Sequence, residues 1–158
     1  MKIRIFLSFL LIVCGKMLFA LSDTTITLPE VNAKIIEYCN GEVGNKVGRG
    51  ECWDLAKYAL NHSNAKWAPP FSFGKKLKSG EEVLPGDIIQ FANVKIVNKD
   101  KSTTAMSQHT AVIHSVLGPK HYMLCEQNVN RKRFVVISEI DLNNMVKGKF
   151  DIYRPEKK

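Results

Sequence analysis

The stretch Gly48–Ala56, Gly-Arg-Gly-Glu-Cys-Trp-Asp-Leu-Ala, most constrains this fold, because it joins a glycine-rich turn directly to a helix start. The apolar residues that follow recur at helical spacing, which predicts a helix from Cys52 to about Asn61. A thiol in the first turn of a helix lies near the positive end of the helix dipole and near unpaired backbone N–H groups. Both features favour the thiolate, which is the form that attacks carbonyl carbon. The sequence therefore predicts a nucleophilic cysteine at a helix N-terminus.

Residues 1–20 are typical of an export signal. A short basic region precedes an apolar run, and Ala20 is the predicted cleavage position. The run is too short for a membrane span, and a lysine closes it. We therefore expect a periplasmic or secreted protein, with lipid attachment through Cys14 as the weaker alternative. The remaining residues 21–158 have a length that favours one domain with a single core.

The net charge of the mature chain favours anionic partners. Three of the 23 basic residues and none of the 15 acidic residues lie in residues 1–20, so residues 21–158 carry a net charge of about +5. This charge suits an anionic surface such as a cell-wall polymer, and equally a small protein that Lys and Arg keep soluble. The sequence has no basic stripe with interleaved aromatic residues, so we expect no nucleic-acid partner. We also expect a monomer with no stable membrane span after signal removal.

The predicted elements are helices first and strands afterwards, which is an α+β pattern. We expect a helix from Pro29 to Asn40 that Gly41 ends, then the Cys52 helix, then a loop over Lys66–Gly80. The later elements are strands at Ile88–Phe91, Thr110–Val116, Tyr122–Val129, Phe134–Ile137 and Phe150–Tyr153, an exposed loop at Asn98–Gln108, and a helical turn near Asp141–Val146. The fold expected is N-terminal helices packed on an antiparallel sheet of about five strands.

Two neighbouring strands carry the polar residues that complete a site with the cysteine. If Leu117–Lys120 forms a four-residue hairpin loop, His109 lies opposite Asn128, with Glu126 diagonal to it on the same face. A change of one residue in loop length would bring Gln127 to the histidine instead. We take the first register, because it also places apolar residues of the second strand on the histidine's face.

Cysteine, then histidine, then a polar residue is the chain order of a papain-type nucleophilic site. The thiolate attacks an amide carbon and forms an acyl-enzyme, while the histidine stabilises the thiolate and protonates the leaving amine. An oxygen on the other ring nitrogen fixes the histidine tautomer. The backbone N–H of Cys52 is a natural half of an oxyanion hole. The second donor stays open between Gln90, Gln108 and the Gly44–Gly50 loop.

Four motifs together resemble the CHAP and NlpC-type papain-like superfamily. They are the glycine-rich turn with Cys52, Leu-Pro-Gly-Asp at Leu84–Asp87, His109-Thr-Ala-Val-Ile, and Glu126-Gln127-Asn128. The likeness covers roughly Gly41 to Pro155, and members are typically bacterial cell-wall amidases or endopeptidases. The residues around the cysteine differ from the motifs common in both groups. They are similar to a divergent branch that also has relatives among fungal cytoskeleton-associated proteins.

The resemblance implies a single papain-like catalytic domain over residues 21–158 that needs no cofactor and no metal. It implies Cys52 as the nucleophile, His109 as the base and Glu126 as the orienting residue. Three accessory candidates complete the expected site: Asn128, Gln127 and Gln108. The activity it predicts is cleavage of amide bonds, above all in peptidoglycan stem peptides.

Two other functions stay open on the sequence. One is an inactive binding or structural module at the cell envelope, and the other is a thiol enzyme that acts on proteins as a protease, deamidase or acyltransferase. Each candidate residue also has a structural alternative as a packed core or strand-edge side chain, and Asn128 rivals Glu126 as the orienting residue. Cys39 and Cys125 are either a disulfide or two unpaired core residues. A zinc site is disfavoured, because the chain has no paired Cys-x-x-Cys spacing.

Overall fold

Two helices precede the strands in the part of the chain that the structure describes, residues 27–158 of a computed structural model. Helix α1 spans Glu30–Glu42 and helix α2 spans Cys52–His62. This order of elements confirms the predicted α+β class. Within these residues, neither helix is long and apolar enough to cross a membrane. The export signal expected at residues 1–20 lies outside the described residues.

The strands form one large sheet and one small one. In chain order they are β1 Ala65–Lys66, β2 Lys75–Lys76, β3 Ile88–Val97, β4 Thr103–Gly118, β5 His121–Glu126, β6 Val136–Asp141, β7 Met145–Arg154 and β8 Glu156–Lys157. The large sheet has the order β2-β7-β3-β4-β5-β6 with antiparallel neighbours, and β1 pairs with β8. It has six strands instead of about five, because the short β2, inside the predicted loop, pairs with β7. A 3-10 helix at Leu142–Asn144 confirms the predicted helical turn.

Several predicted boundaries are wrong, among them the end of α1 and the start of β4. Helix α1 does not stop at Gly41, because the chain leaves the helix only where Val43 forms a bridge with Val135. The polar stretch Asn98–Gln108 is not all loop, because β4 already begins at Thr103. The backbone from there pairs with the end of β3, so the polar side chains stand on a paired but exposed extension of the hairpin.

Alternation along the strands gives the large sheet two apolar faces. One face packs on both helices through residues such as Ile88, Val112 and Leu55. The opposite face has its own cluster, which includes Ile89 and Ile113. The site residues therefore lie where the start of α2 meets one region of β4 and β5.

The Leu84–Asp87 motif is a buried structural turn that fixes α1 on the start of β3. The fully buried Asp87 carboxylate accepts hydrogen bonds from the Leu84 N–H, the Asn32 amide and the Arg154 guanidinium, at 2.8 to 3.0 Å. Gly86 has a φ of +87°, and a Cβ there would lie 2.6 Å from the backbone oxygen of Asn32. Only glycine allows this approach, because a side chain would meet helix backbone.

The hairpin between β4 and β5 is tighter than expected, since only Pro119 and Lys120 separate the strands. Two irregularities of the pairing shift the register by one residue each, so that Val112 pairs with Cys125. This is the register predicted from a four-residue loop. The predicted register near the site is therefore correct for a different reason, because two irregularities in the pairing offset a loop that is two residues shorter than expected.

Candidate active site

Cys52 is the first residue of α2, and it is partly buried. The carboxylate of Asp54 turns back and accepts hydrogen bonds from the backbone N–H groups of Arg49, at 2.9 Å, and of Glu51, at 3.4 Å. These bonds occupy two donors of the turn before the helix and hold the chain in place there. The thiol is thus presented at the positive end of the helix dipole, as the sequence predicts.

His109 lies on β4 with its ring buried and makes the two contacts that a papain-like site needs. Its Nε2 donates to the Glu126 Oε2 at 2.6 Å, and its ring lies close enough to the Cys52 thiol for each group to shift the pKa of the other. The ring of Phe91 stacks on the imidazole with a centroid distance of 6.2 Å and an interplanar angle of 20°. The structure therefore brings together the three residues that the sequence predicts as nucleophile, base and orienting residue.

A fourth polar residue, Ser138, was missed by the sequence analysis. It lies on β6, and its hydroxyl donates to Oε1 of the buried Glu126, so both oxygens of that carboxylate have a partner. The predicted strand at Phe134–Ile137 stops one residue before Ser138. The only sequence signal for this contact is a serine at the end of an apolar stretch that follows the Glu126 strand.

Cys52 and His109 each favour the charged form of the other. Burial alone would lower the pKa of His109, but hydrogen bonds to Cys52 and Glu126, and the charges of both, raise that pKa to about 9. Burial also raises the pKa of the Cys52 thiol, yet hydrogen bonds with His109 and with backbone N–H groups, together with the histidine charge, lower it below its usual value. Both shifts favour the form in which Cys52 is a thiolate and His109 an imidazolium.

Asn128 does not lie opposite the histidine as predicted. Strand β5 ends at Glu126, and Asn128 has a φ of +62°, so the chain turns away from the β4 pairing before it. Its amide donates to the Glu51 carboxylate at 2.9 Å. The contact with His109 belongs to Glu126, because the strand ends before Asn128 can take that place.

Gln127 is fully buried on the helix side of the sheet, away from His109. Its amide group donates to the backbone oxygens of Val47 and Glu51, at 3.0 and 2.8 Å, and its oxygen accepts from the Val47 N–H at 3.1 Å. These bonds tie the glycine-rich loop and the residue before Cys52 to the end of β5. Gln127 is therefore a support of the loop and not a partner of the histidine.

The three candidates for the second oxyanion donor differ in their surroundings. Gln90 is engaged at both ends, since its oxygen accepts from the Thr110 hydroxyl and its amide donates to a backbone oxygen. In the Gly44–Gly50 loop, several N–H groups already donate within the protein, among them those of Val47 and Gly50. Gln108 is exposed, one residue before His109, and so points to the other side of β4, the side of Thr110.

Residues 29–158 match the family described as the AIM3/BBC1 Cysteine proteinase-fold domain. This chain belongs to that family. A curated relative of the AIM3/BBC1-type domain is "Altered inheritance of mitochondria protein 3" of Debaryomyces hansenii, 32% identical over 145 residues. The alignment covers 77% of this chain but only 15% of that protein, so the chain spans a small part of the relative's length.

Solved structures resemble the AIM3/BBC1-type domain at low sequence identity. Ly7917, in a crystal structure with the hydrolyzing product of MDP, gives a TM-score of 0.50 at 15% identity, covering 78% of this chain and 63% of that one. NlpC2 from Trichomonas vaginalis gives a TM-score of 0.49 at 16% identity, covering 82% and 49%. The family match confirms the papain-like fold as a divergent member, and the Ly7917 likeness agrees with it on fold alone.

The two other cysteines of the AIM3/BBC1-type domain, Cys39 and Cys125, are buried free thiols and not a disulfide. The Cys125 Sγ lies 3.9 Å from the backbone oxygen of Cys39. A hydrogen bond with Cys125, together with burial, raises the pKa of Cys39 well above its usual value. Neither thiol has the activating surroundings of Cys52, so they pack α1 against β5 as core residues.

A cavity of about 530 Å³ lies beside the histidine of the AIM3/BBC1-type domain. Its wall includes His109, Glu126, Met106 and the start of the loop after β5, at Asn128 and beyond. A larger hollow of about 1000 Å³ is lined by residues such as Tyr122 and contains no predicted site residue. Within residues 27–158, no group of three or more His, Cys, Asp and Glu side chains is arranged to hold a metal ion.

Proposed function

We propose that this domain is a cysteine hydrolase that cleaves amide bonds through an acyl-enzyme. The observation that carries the proposal is the arrangement of Cys52, His109 and Glu126, in which the buried Glu126 Oε2 lies 2.6 Å from Nε2 of a histidine that neighbours the thiol. A histidine packed for structural reasons alone needs neither a neighbouring thiol nor a buried carboxylate on Nε2. The lowered pKa of Cys52 supports the same assignment.

In the proposed reaction, the Cys52 thiolate attacks the carbonyl carbon of the amide. The backbone N–H of Cys52 donates to the oxyanion. Gln108 is the remaining candidate for the second donor, since Gln90 and the N–H groups of Val47 and Gly50 already have partners. The His109 imidazolium then gives its proton to the leaving nitrogen, the C–N bond breaks and a thioester remains. Neutral His109 next takes a proton from water, the resulting hydroxide adds to the thioester, and the thiolate leaves beside a restored imidazolium. Glu126 orients the ring throughout through Nε2.

Peptide amides are the substrate class of this proposal, with peptidoglycan stem peptides first. The supporting observation is the likeness to Ly7917, whose structure was solved with the hydrolyzing product of MDP. A protein substrate is the second candidate. It is favoured by the likeness to a protein named for altered inheritance of mitochondria, a name that does not concern a cell wall.

The decisive experiment measures alkylation of Cys52 by iodoacetamide against pH, with mass-spectrometric mapping of each cysteine. We expect selective labelling of Cys52 at pH 6 to 7, much slower labelling after His109→Ala, and no labelling of the buried Cys125, which serves as an internal control. Muropeptides and a denatured protein are then assayed for released amine. Labelling of Cys52 no faster than that of an ordinary thiol would instead support an inactive binding or structural module.

We also propose that the protein is exported after removal of residues 1–20 and that it acts as a monomer on peptide or peptidoglycan, without nucleic acid or cofactor. Intact-mass measurement of the secreted protein tests the first statement, since the mature chain is expected to begin at Leu21. Light scattering during size-exclusion chromatography tests the second. A mass that retains residues 1–20 would contradict export by cleavage.

A further inference from the structure

Two loops bring five exposed basic residues together beside the start of α2. We call this group the basic rim, and its members are Lys46, Arg49, Arg131, Lys132 and Arg133. The first two belong to the glycine-rich loop before Cys52, and the other three belong to the loop that follows β5. More than 80 residues of sequence lie between Arg49 and Arg131, so the group is a product of the fold.

Gly50 is the point at which the two loops meet. It has a φ of +86°, and a Cβ at this position would lie 2.9 Å from the Arg133 Cβ and 3.1 Å from the Lys46 Cε. Arg133 also forms an ion pair of 3.1 Å with Glu51. The basic rim is therefore in contact with the two residues that directly precede Cys52.

The carboxylates near the basic rim neutralise only part of its charge. Glu51 accepts from Arg133, and the buried Asp54 lies 3.5 Å from the Arg49 guanidinium. Within residues 27–158, Arg49 and Arg133 are the only rim members that form an ion pair. Lys46, Arg131 and Lys132 keep an excess of three positive charges exposed to solvent, where an anionic group can reach them.

The second loop is also a wall of the cleft that contains the histidine. Its residues Asn128, Val129 and Asn130 line the cavity of about 530 Å³ together with His109 and Glu126. The basic rim therefore adjoins the cleft, and a ligand in the cleft meets the rim on the side where this loop lies.

The backbone of this loop fixes the place of its charges. Asn128, Asn130 and Arg131 all have positive φ, of 62°, 50° and 65°, and the turn is closed by a 2.9 Å bond from the Asn128 N–H to the Lys132 oxygen. Left-handed backbone is unfavourable for arginine. The closed turn therefore fixes the backbone of Arg131 and Lys132 directly after Asn128, Val129 and Asn130, the loop residues that line the cleft.

We propose that the basic rim binds the acidic part of a peptide substrate while an adjacent amide of that peptide reaches Cys52. This assignment rests on the proposed amide hydrolysis and names the substrate class, an acidic peptide. A peptide fits better than an extended anionic surface, because the loop that carries three of the rim residues also lines the cleft that contains His109. Glu42 at the end of α1 and Glu139 in the same cavity would repel a wide anionic face.

The first test compares two reagents on Cys52 in the full chain at about 10 mM salt. Iodoacetamide is neutral and reports the thiolate, whereas iodoacetate carries one negative charge and also senses the basic rim. The variant Arg131→Asn with Lys132→Gln removes two charges, and asparagine tolerates the left-handed backbone at 131. We expect the ratio of iodoacetate to iodoacetamide rates to fall about threefold, as for two unit charges roughly 10 Å from the thiol in water.

The matched control is Lys147→Gln with Lys149→Gln, which removes the same charge from exposed positions on β7. We expect it to leave the rate ratio unchanged. An equal ratio in the wild type, the rim variant and the control would overturn the role of the basic rim. A slow reaction with iodoacetamide would instead contradict the proposed hydrolase, so the two failures are distinguishable.

The second test measures binding of fluorescein-labelled peptides by anisotropy to the full chain with Cys52→Ala, which prevents turnover. We expect an alternating Glu-Ala peptide to bind more tightly than its Lys-Ala counterpart, and the preference to weaken in the rim variant and in 200 mM salt. Equal binding of both peptides would refute the proposal. Preferential binding to phosphatidylserine vesicles would replace the acidic peptide with a membrane surface.

Discussion

Replacing Glu126 by glutamine removes a buried charge from His109 without removing the side chain. In the wild type the pKa of His109 is raised from its usual 6.5 to about 9, and the hydrogen bonds and charges of Cys52 and Glu126 are responsible. Burial lowers this pKa, and the two partners more than offset it. One pKa unit corresponds to about 1.4 kcal/mol, so the net shift favours the imidazolium by roughly 3 kcal/mol. If the carboxylate supplies about half of this effect, Glu126→Gln lowers the pKa of His109 by roughly one unit.

The sign of the effect differs between the two limbs of the pH profile. The thiolate–imidazolium pair exists between the lowered pKa of Cys52 and the raised pKa of His109, near 9. A weaker imidazolium stabilises the thiolate less, so the acid limb of Cys52 alkylation moves to higher pH in Glu126→Gln. The basic limb of hydrolysis moves to lower pH, because neutral His109 cannot protonate the leaving amine. The pH range in which the thiolate–imidazolium pair exists therefore becomes narrower at both ends.

The assay combines iodoacetamide kinetics from pH 5 to 10 with NMR titration of the histidine ring. Glu139→Gln is the matched control, since it removes an exposed carboxylate that pairs with His121 on a neighbouring strand. We expect both limbs of the pH profile of this control to fall at the same pH as in the wild type. A profile of Glu126→Gln that coincides with the wild type would refute the reasoning, because it would mean that Glu126 does not set the protonation of the pair.

Three further substitutions test side chains that hold the site or the fold in place. Ser138→Ala removes the hydroxyl that donates to Glu126 and should slow Cys52 alkylation about threefold, whereas Ser138→Thr should retain the rate. Asp87→Ala leaves the Arg154 guanidinium without its carboxylate partner, so it should lower the free energy of unfolding, measured by urea denaturation, by about 3 kcal/mol. It should have little effect on the alkylation of Cys52 in the folded fraction. Gln127→Ala leaves the buried Val47 groups unpaired and should cost about 2 kcal/mol and also slow alkylation.

Local chemistry explains what could be predicted from the sequence. The glycine turn and the helical spacing after it locate Cys52 at the first position of α2, and strand alternation places His109 and Glu126 on one face. Both conclusions need only residues that are close in the chain or joined by a short hairpin. The register was correct even though the hairpin loop is shorter, because bulges in the pairing restore it.

Contacts that depend on long connections could not be predicted. Ser138 reaches Glu126 only because the loop after β5 uses left-handed residues to return the chain as the neighbouring strand β6. The same loop turns Asn128 towards Glu51, which made the predicted pairing with His109 wrong. The basic rim has the same origin, since Lys46 and Arg133 meet only across Gly50. Sequence patterns of period 2 or 3.6 carry no information about such loop paths.

Two adjacent residues connect the halves of the candidate site. Glu126 points to one face of β5 and binds His109, whereas Gln127 points to the other face and binds the loop and the residue before Cys52. Because successive side chains of a strand alternate between faces, the end of β5 fixes the position of His109 and the position of Cys52 at once. A shift of this strand by one residue would exchange the two side chains, leaving an amide at the histidine and a carboxylate against backbone oxygens. The bulges that set the register of β4 and β5 are therefore as necessary to the site as the residues that form it.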